Sequence, residues 1–313
     1  MFNPADYPEL LVGLNQPDDA AVWKLNKTES LIITTDFFTP VVDDAFDYGA
    51  IAAANALSDI YAMGGEPFLA LNLAAFPADM PAVVLSEVLR GAAETLRTAG
   101  TVLAGGHTIQ DKEPKFGLVV IGKARTASIL HKGGANPGDL IFLSKPLGIG
   151  VTTTALKQQK AAPEHLTEAV NWMKNLNRDA SKLAVRYKAS SATDITGYSL
   201  IGHALECASA SGVRFDLKFT SIPLLSFAKT YADRGLFPGG AFDNLHYFGK
   251  QAKITAAISE SEKMLLFDPQ TSGGLLFTVA PEQAEKLQRA AKRSDAHVWH
   301  VGEVSVGKGI RIL

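Results

Sequence analysis

Cysteine is almost absent from this sequence. Cys207 is the only one among 313 residues, which excludes an intramolecular disulfide and any multi-cysteine metal or iron–sulfur site. No apolar run approaches the roughly 18–20 residues that a membrane helix requires. The N-terminal segment MFNPADYPELL has two acids, two prolines and no basic residue, unlike a signal peptide. We therefore expect a cytoplasmic protein that has no membrane partner.

Basic residues are missing from a long part of the first half. Residues 28–89 contain nine carboxylates and no Lys, Arg or His. A solvated acidic face is the ordinary explanation, and it suits Asp43, Asp44 and Glu87. It fails for carboxylates inside apolar segments, because an unpaired buried charge is too costly to persist. Those carboxylates need a cation, and this stretch supplies none.

The length, the composition and the charge of the second half limit the class of protein. A chain of 313 residues with 47% hydrophobic and 20% charged residues is typical of two folded domains. We place them at 1–126 and 127–313, with a glycine- and proline-containing junction over 126–139. Residues 90–313 carry a formal charge of +9, but they contain no Lys/Arg run with interleaved aromatics, so nucleic acid is not an expected partner.

Hydrophobic patterning predicts strands and helices in mixed order, which is typical of an α+β protein. The first half is expected to begin with β-rich segments. They are followed by a helix that starts at 47–49 and runs over 50–63, a strand over 67–75, a helix over 81–99, and strands over 101–105 and 116–123. The second half is expected to contain a strand over 140–144, a long helical region over 150–188, a helix over 199–209 and a strand over 275–280.

Asp59 is the first candidate for a functional carboxylate. Its segment, AIAAANALSDIYAM, is almost wholly small or apolar, so every face of the predicted helix is expected to be covered. Asn55 lies one turn earlier and shares the face of Asp59. The alternative is a helix-end aspartate that bonds to backbone near Gly64. A metal or catalytic role is the preferred interpretation.

Three further aspartates lie beside predicted strands, Asp18, Asp19 and Asp36, and a fourth, Asp194, lies just ahead of a predicted helix. A plain turn residue is the alternative for the first three, and a helix N-cap for Asp194. As a set these are hard oxygen ligands without a His or Cys cluster. Such ligands suit Mg²⁺, which is usually shared with the phosphates of a substrate.

Common phosphate-binding motifs are missing. There is no G-x-x-x-x-G-K-[ST], and the segment 148–150 lacks the third glycine of a dinucleotide loop. The segments LAGGHT (103–108) and DPQTSGG (268–274) fit either a turn or an anion-binding backbone. Cys207 has the helical spacing of a core thiol. His203 fits either a ligand contact or a core histidine, and the sequence does not decide between them.

Seven segments in succession resemble the selenophosphate synthetase (selenide, water dikinase) family of the aminoimidazole-ribonucleotide-synthetase superfamily. NALSDIYAMGG is similar to the superfamily at large, whereas LAGGHTI and DPQTSGGLL are specific to this family. The segments that carry the resemblance are QPDDAAVW, TTDFFTPVVDDAFDYG, NALSDIYAMGGEP, LAGGHTI, KPLGIGVTTTA, TDITGYSLIGH and DPQTSGGLL.

This resemblance implies a two-domain PurM-like fold and the conversion of ATP, selenide and water into selenophosphate, phosphate and AMP. It also implies a homodimer built through the N-terminal domains, which hold the ATP site. The family's Mg²⁺ ligands match Asp19, Asp59 and Asp194. Its nucleotide contacts match Gln16, Pro17, Asp18, Asp36, Asp59 and a loop made of His107, Thr108 and Ile109.

The sequence departs from the family at one point. The family's N-terminal Cys or selenocysteine and its nearby Lys, both assigned to the chemistry, have no match before Asp18. We expect a truncated chain or a start assigned to a downstream Met. This chain is then expected to bind ATP without completing the selenium step at a normal rate. The alternatives are a non-catalytic ATP-binding paralogue and another superfamily enzyme, such as thiamine-monophosphate kinase or a hydrogenase-maturation protein.

Overall fold

The computed structural model describes residues 6–14, 18–294 and 296–313. The chain divides into two compact units, 1–129 with 174–178 and 130–173 with 179–313. The return of the short segment 174–178 to the first unit is not predicted by the sequence. Each unit combines one sheet with helices, which confirms the α+β class. Among the described residues no helix is long and apolar enough to span a bilayer, and the cytoplasmic location stays a prediction.

The first unit contains a six-stranded sheet and two long helices. Its elements are β1 (Leu10–Val12), β2 (Ala21–Lys24), β3 (Glu29–Phe38), α1 (Ala45–Ala62), β4 (Glu66–Phe76), α2 (Ala82–Ala99), β5 (Val102–Gln110) and β6 (Lys115–Arg125). The strand order is β1-β2-β3-β6-β4-β5, and β4 pairs with β5 in parallel while the other neighbours are antiparallel.

Helix α1 is covered on nearly all of its faces, as its composition predicts. It begins earlier than expected because the Asp44 side chain caps it by accepting a hydrogen bond from Asp47 N at 2.8 Å. Its C-terminal end follows the prediction, since Gly64 adopts a φ of 72° directly after it. Close packing on α2 needs glycine, because a Cβ at Gly49 would lie 1.9 Å from Val88 O.

The second unit contains a seven-stranded sheet and eight helices among its described residues. Its elements are β7 (Leu140–Leu143), α3 (Ile149–Lys157), α4 (Pro163–Lys174), α5 (Arg178–Arg186), β8 (Ser191–Asp194), α6 (Ser199–Ser211), β9 (Arg214–Leu217), α7 (Ala228–Asp233), α8 (Gly239–Phe248), β10 (Ala252–Ile254), α9 (Glu260–Leu265), β11 (Leu275–Val279), α10 (Pro281–Ser294), β12 (Trp299–Ser305) and β13 (Gly309–Ile312). The strand order is β10-β13-β9-β12-β7-β11-β8.

The helical region predicted over 150–188 is confirmed. It is divided into α3, α4 and α5. Gln159 adopts a left-handed φ of 55°, which ends the first helix, and Pro163 begins the second. The core of the unit forms where α6 packs on the sheet, and Cys207 is buried in it, which confirms the interpretation as a core thiol.

Candidate active site

Two carboxylates of the first unit lie where β3 packs against α1. The side chains of β3 alternate, so Ile32 and Thr34 are buried beneath the helix and Asp36 continues on the same face. Asn55 and Asp59 are one turn apart on α1. The Thr34 hydroxyl donates a hydrogen bond to Asp59 Oδ2 at 2.5 Å, and the Asn55 amide donates one to Asp36 Oδ2. The structure therefore brings Asp36 and Asp59 to one place.

The predicted pair Asp18 and Asp19 lies at the same end of β3. Both residues precede β2, whose first residue, Ala21, pairs with Ile33, so the chain enters β2 beside the part of β3 that carries Asp36. The Asp19 N–H donates to Asp18 Oδ1 at 3.0 Å, a local contact that fits the turn alternative for Asp18. Two other predicted nucleotide contacts fall outside the described residues: Gln16 and Pro17.

The segment predicted as a nucleotide loop is part of a strand. His107, Thr108 and Ile109 lie within β5, an exposed strand that pairs in parallel with β4 at the edge of the sheet. The neighbouring strand extends β5 past the paired glycines, where the local sequence favours a turn. Glycine is required there because a Cβ at Gly106 would lie 2.3 Å from Asn72 O.

Strand register relates β5 to Asp36 and Asp59, which form an acidic cluster between β3 and α1. Asp36 pairs with Leu118, Leu118 with Asn72, and Asn72 with Gly106, so these residues form one row across the sheet. Three strand spacings separate the ends of this row, which is about 14 Å. Residues 107–109 continue from the far end of the row. The two parts of the predicted nucleotide site, the acidic cluster and residues 107–109, thus lie near opposite ends of one row of the sheet and are not brought together.

A preassembled metal centre is not found among the described residues. No group of three or more His, Cys, Asp or Glu side chains in that part of the chain is arranged to hold an ion. Two of the predicted ligands, Asp19 and Asp59, belong to the first unit, and Asp194 belongs to the second. The surroundings of Asp194 are therefore described with its own unit.

Three sequence motifs of the second unit meet at one edge of its sheet. They are KPLGIG (145–150), TDITGYS (193–199) and DPQTSGG (268–274). Strand β11 begins directly after the third motif, and its pairing with β7 and β8 brings the ends of these two strands beside it. Asp194 is the last residue of β8, opposite Leu275. The motifs are distant in sequence and adjacent in the fold.

Asp194 and Lys145 are buried charged residues at this edge. Asp194 is 2% exposed, and its Oδ2 atom has no hydrogen-bond partner within the described part of the chain. It is not the cap of α6, because Tyr198 occupies the N-cap position. Lys145 is 3% exposed and donates from Nζ to Ser272 O at 2.6 Å. Burial lowers the pKa of Lys145 to about 7, and the Asp194 charge opposes this effect.

The DPQTSGG segment caps α3. Gln270 Oε1 accepts hydrogen bonds from Gly148 N and Ile149 N, both at 3.1 Å. Asp268 Oδ2 accepts one from Val151 N at 3.3 Å. The protein itself therefore satisfies the N–H groups that a bound anion would otherwise take. Burial raises the pKa of Asp268 to about 7, although these hydrogen bonds lower it.

His203 is a buried histidine with defined partners. Its Nδ1 atom lies 3.2 Å from Glu206 Oε2, and its Nε2 atom lies 3.1 Å from Thr196 Oγ1 and 3.3 Å from Tyr198 N. These contacts answer the question that the sequence left open, because His203 is satisfied by protein groups around the TDITGYS segment. The spacing of His203 and Glu206 on one helix was a visible signal for this pair. Lys132, which also binds Glu206, gave no such signal.

Family models for two domains match this chain. The AIR synthase related protein N-terminal domain matches residues 17–124, and the AIR synthase related protein C-terminal domain matches residues 136–313. AaThiL in complex with AMPPCP and TMP superposes with a TM-score of 0.72 at 19% identity, covering 94% of this chain and 87% of that chain. The fold is thus the two-domain PurM-like architecture of AIR synthase related proteins.

Curated relatives define the family more narrowly. The selenide, water dikinase of Caldanaerobacter subterraneus subsp. tengcongensis is 49% identical over 281 residues, covering 90% of this chain and 81% of the relative. That of Myxococcus xanthus is 43% identical over 309 residues, covering 98% and 88%. This chain belongs to the selenide, water dikinase family of enzymes, which confirms the resemblance seen in the sequence.

Proposed function

We propose that this chain catalyses the reaction of ATP, selenide and water to selenophosphate, phosphate and AMP. The relatives are named for selenide and water as acceptors, which is the reason for this choice of substrates. One phosphoryl group of ATP forms the new bond to selenium. The other is released as phosphate when water cleaves the remaining phosphoanhydride bond.

The observation that carries the proposal is the acidic cluster between β3 and α1. Asp36 and Asp59 are oriented by hydrogen bonds from Asn55 and Thr34, and residues 28–89 contain no basic side chain. A metal–nucleotide complex brings cations to such a cluster. We assign nucleotide contacts to Asp18, Asp36 and Asp59 near this cluster and to His107, Thr108 and Ile109 on the edge strand. Gln16 and Pro17, which lie outside the described residues, are proposed as contacts from the sequence resemblance.

Mg²⁺ is the metal that we propose, with Asp19 and Asp59 as candidate ligands in the first unit and Asp194 as a candidate ligand in the second. Carboxylate oxygens are the donors that Mg²⁺ prefers. The buried Asp194 Oδ2 atom, which has no hydrogen-bond partner among the described residues, fits a ligand role. When bound, Mg²⁺ would neutralise charge on the transferred phosphoryl groups. The role of the chain's own residues is to hold these carboxylates in place.

A homodimer through the first unit is the assembly that we propose. The sheet face opposite α1 is apolar and partly exposed, and β5 is an exposed edge strand. The side chains of this face include Leu31, Ile33, Phe37, Val119 and Ile121. Sedimentation should show a dimer that Phe37→Lys weakens, whereas Val83→Lys, on an exposed position of α2, should leave it unchanged. A monomer for the unaltered chain would contradict this assembly.

AMP release from ATP, measured with and without selenide, tests the activity. We expect AMP formation from ATP to depend on selenide. AMP release without selenide dependence, or phosphorylation of thiamine monophosphate, would contradict the proposal.

A further inference from the structure

The backbone that follows Asp194 is tethered by several other elements. Ile195 N donates to Gly274 O at 2.8 Å, and Thr196 O accepts from Gln270 N at 3.0 Å. Asn244 Nδ2 donates to Gly197 O at 2.9 Å. Gln270 and Asn244 thus bind the loop backbone, and neither makes a described hydrogen bond to Asp194 itself. The loop 195–198, which directly follows Asp194, is therefore held in place by hydrogen bonds to other segments of the unit.

His203 adds the tether whose chemistry is most specific. The Tyr198 N–H group can only donate a hydrogen bond, so the Nε2 atom of His203 that it approaches must carry a lone pair. The proton of the neutral ring then resides on Nδ1, which faces Glu206 Oε2 at 3.2 Å. The contacts thus select one tautomer of His203, in which the ring donates to Glu206 and accepts from the loop.

Glu206 is in turn fixed by a second basic group. Lys132 Nζ lies 2.9 Å from Glu206 Oε2, the same oxygen that faces His203. Burial alone would raise the pKa of Glu206, but the hydrogen bond to His203 and the charge of Lys132 lower it to about 2. The carboxylate stays ionised at neutral pH and orients the imidazole. His203 itself is 6% exposed, so water does not compete freely for the ring.

We propose that His203 is a positioning residue, which acts with Lys132 and Glu206 to hold the 195–198 loop and thereby the carboxylate of Asp194. This inference rests on the proposed role of Asp194 as a metal ligand. Residues that orient metal ligands from behind typically change metal affinity by about 10–100-fold when they are replaced. The loop geometry, however, is a property of the chain that is measurable without metal.

A pair of substitutions separates the two contacts of the ring. His203→Gln places an amide oxygen near the position of Nε2 and keeps an acceptor for Tyr198 N. His203→Asn places its amide nearer Nδ1, so it keeps a polar group for Glu206 and loses the acceptor for the loop. His246→Asn, at an exposed position of α8, is the matched control.

The first readout is hydrogen exchange of the Tyr198 amide in the full chain without metal. We expect His203→Asn to accelerate this exchange at least tenfold, and we expect His203→Gln and the His246 control to stay within about threefold of the unaltered chain. The inference is overturned if His203→Asn leaves the exchange unchanged, or if His203→Gln accelerates it as much. A further variant, Glu206→Gln, should accelerate the exchange of the Tyr198 amide by less than His203→Asn does, because the Gln amide oxygen can still accept from Nδ1.

The second readout is a calorimetric titration of Mg²⁺ into the full chain saturated with AMPPCP. We expect His203→Asn to weaken Mg²⁺ about tenfold and His203→Gln to weaken it less. Asp194→Asn serves as the reference. If Asp194→Asn leaves Mg²⁺ affinity unchanged, the proposed metal role fails while the exchange result still decides the role of His203. If Asp194→Asn weakens Mg²⁺ and His203→Asn does not, the inference about His203 fails.

Discussion

Two carboxylates of the first unit and two of the second are held by different kinds of partner. In the first unit, Asp59 and Asp36 accept hydrogen bonds from a hydroxyl and an amide, in a region of sequence without basic residues. In the second unit, Glu206 and Asp216 are bound by basic side chains. Those partners are Lys132 and His203 for Glu206, and Arg214 and Arg311 for Asp216.

This difference shows two ways of orienting a carboxylate, by basic side chains or by uncharged donors. Burial would raise the pKa of Asp216, but hydrogen bonds from Arg214, Ser305 and Arg311 lower it to about 2. A carboxylate of this kind stabilises the fold and has no capacity left for a metal. Hydroxyl and amide donors, like those that contact Asp59 and Asp36, orient a carboxylate without adding a positive charge.

Asp216→Asn should lower the free energy of unfolding by about 3 kcal/mol, because it removes the charge that two arginines share. The folded pKa of Asp216 is lowered, so its contribution is present above the unfolded value of 3.8 and is lost as the pH falls towards 2. Denaturant unfolding at pH 7 and pH 3 measures this loss. Asp243→Asn, at an exposed position of α8, should have little effect, and nucleotide affinity should not change in either variant.

Mg²⁺ with ATP should stabilise the whole chain by mass action. At a ligand concentration of 100 Kd the expected gain is about 2.7 kcal/mol, since the complex binds the folded state alone. Thermal melting with and without Mg²⁺ and ATP measures this gain as a rise in Tm. A rise in Tm on addition of EDTA would show that the acidic cluster of the first unit is not a metal site.

Asp268 is a third kind of carboxylate. It is buried, and no basic group contributes to the shift of its pKa. Its folded pKa is raised to about 7, so the stability it contributes is fully present below the unfolded value of 3.8 and is lost as the pH rises through 7. As the pH rises from 5.5 to 7.5, the free energy of unfolding of Asp268→Asn should therefore increase by roughly 1–2 kcal/mol relative to that of the unaltered chain. A difference in unfolding free energy that stays constant over this range would contradict the assignment.

Much of the first unit could be predicted because its signals are local. The apolar segment around Asp59 indicates a covered helix, and the period of two in β3 places Asp36 on the face of Ile32 and Thr34. The role of His107 as part of a strand could not be predicted, because β4 supplies the pairing that extends β5 beyond its two glycines. Tertiary pairing outweighed the local preference for a turn.

The buried polar contacts of the second unit could not be predicted from the sequence for a different reason. Gln270 caps a helix more than 100 residues earlier in the chain, and Lys132 reaches Glu206 across a separation of 74 residues. No spacing in the sequence reports such contacts. The i,i+3 pair of His203 and Glu206 was visible, but the loop that the ring holds became apparent only from the fold.

We propose that the acidic cluster between β3 and α1 binds the metal–nucleotide complex. The most direct measurement is calorimetry with Mg²⁺ and AMPPCP on Asp59→Asn, beside Asp79→Asn at an exposed turn position as the control. We predict at least a tenfold loss of affinity for Asp59→Asn, about 1.4 kcal/mol, with the free energy of unfolding little changed and the control unaffected. Unchanged affinity in a folded Asp59→Asn protein would contradict the account.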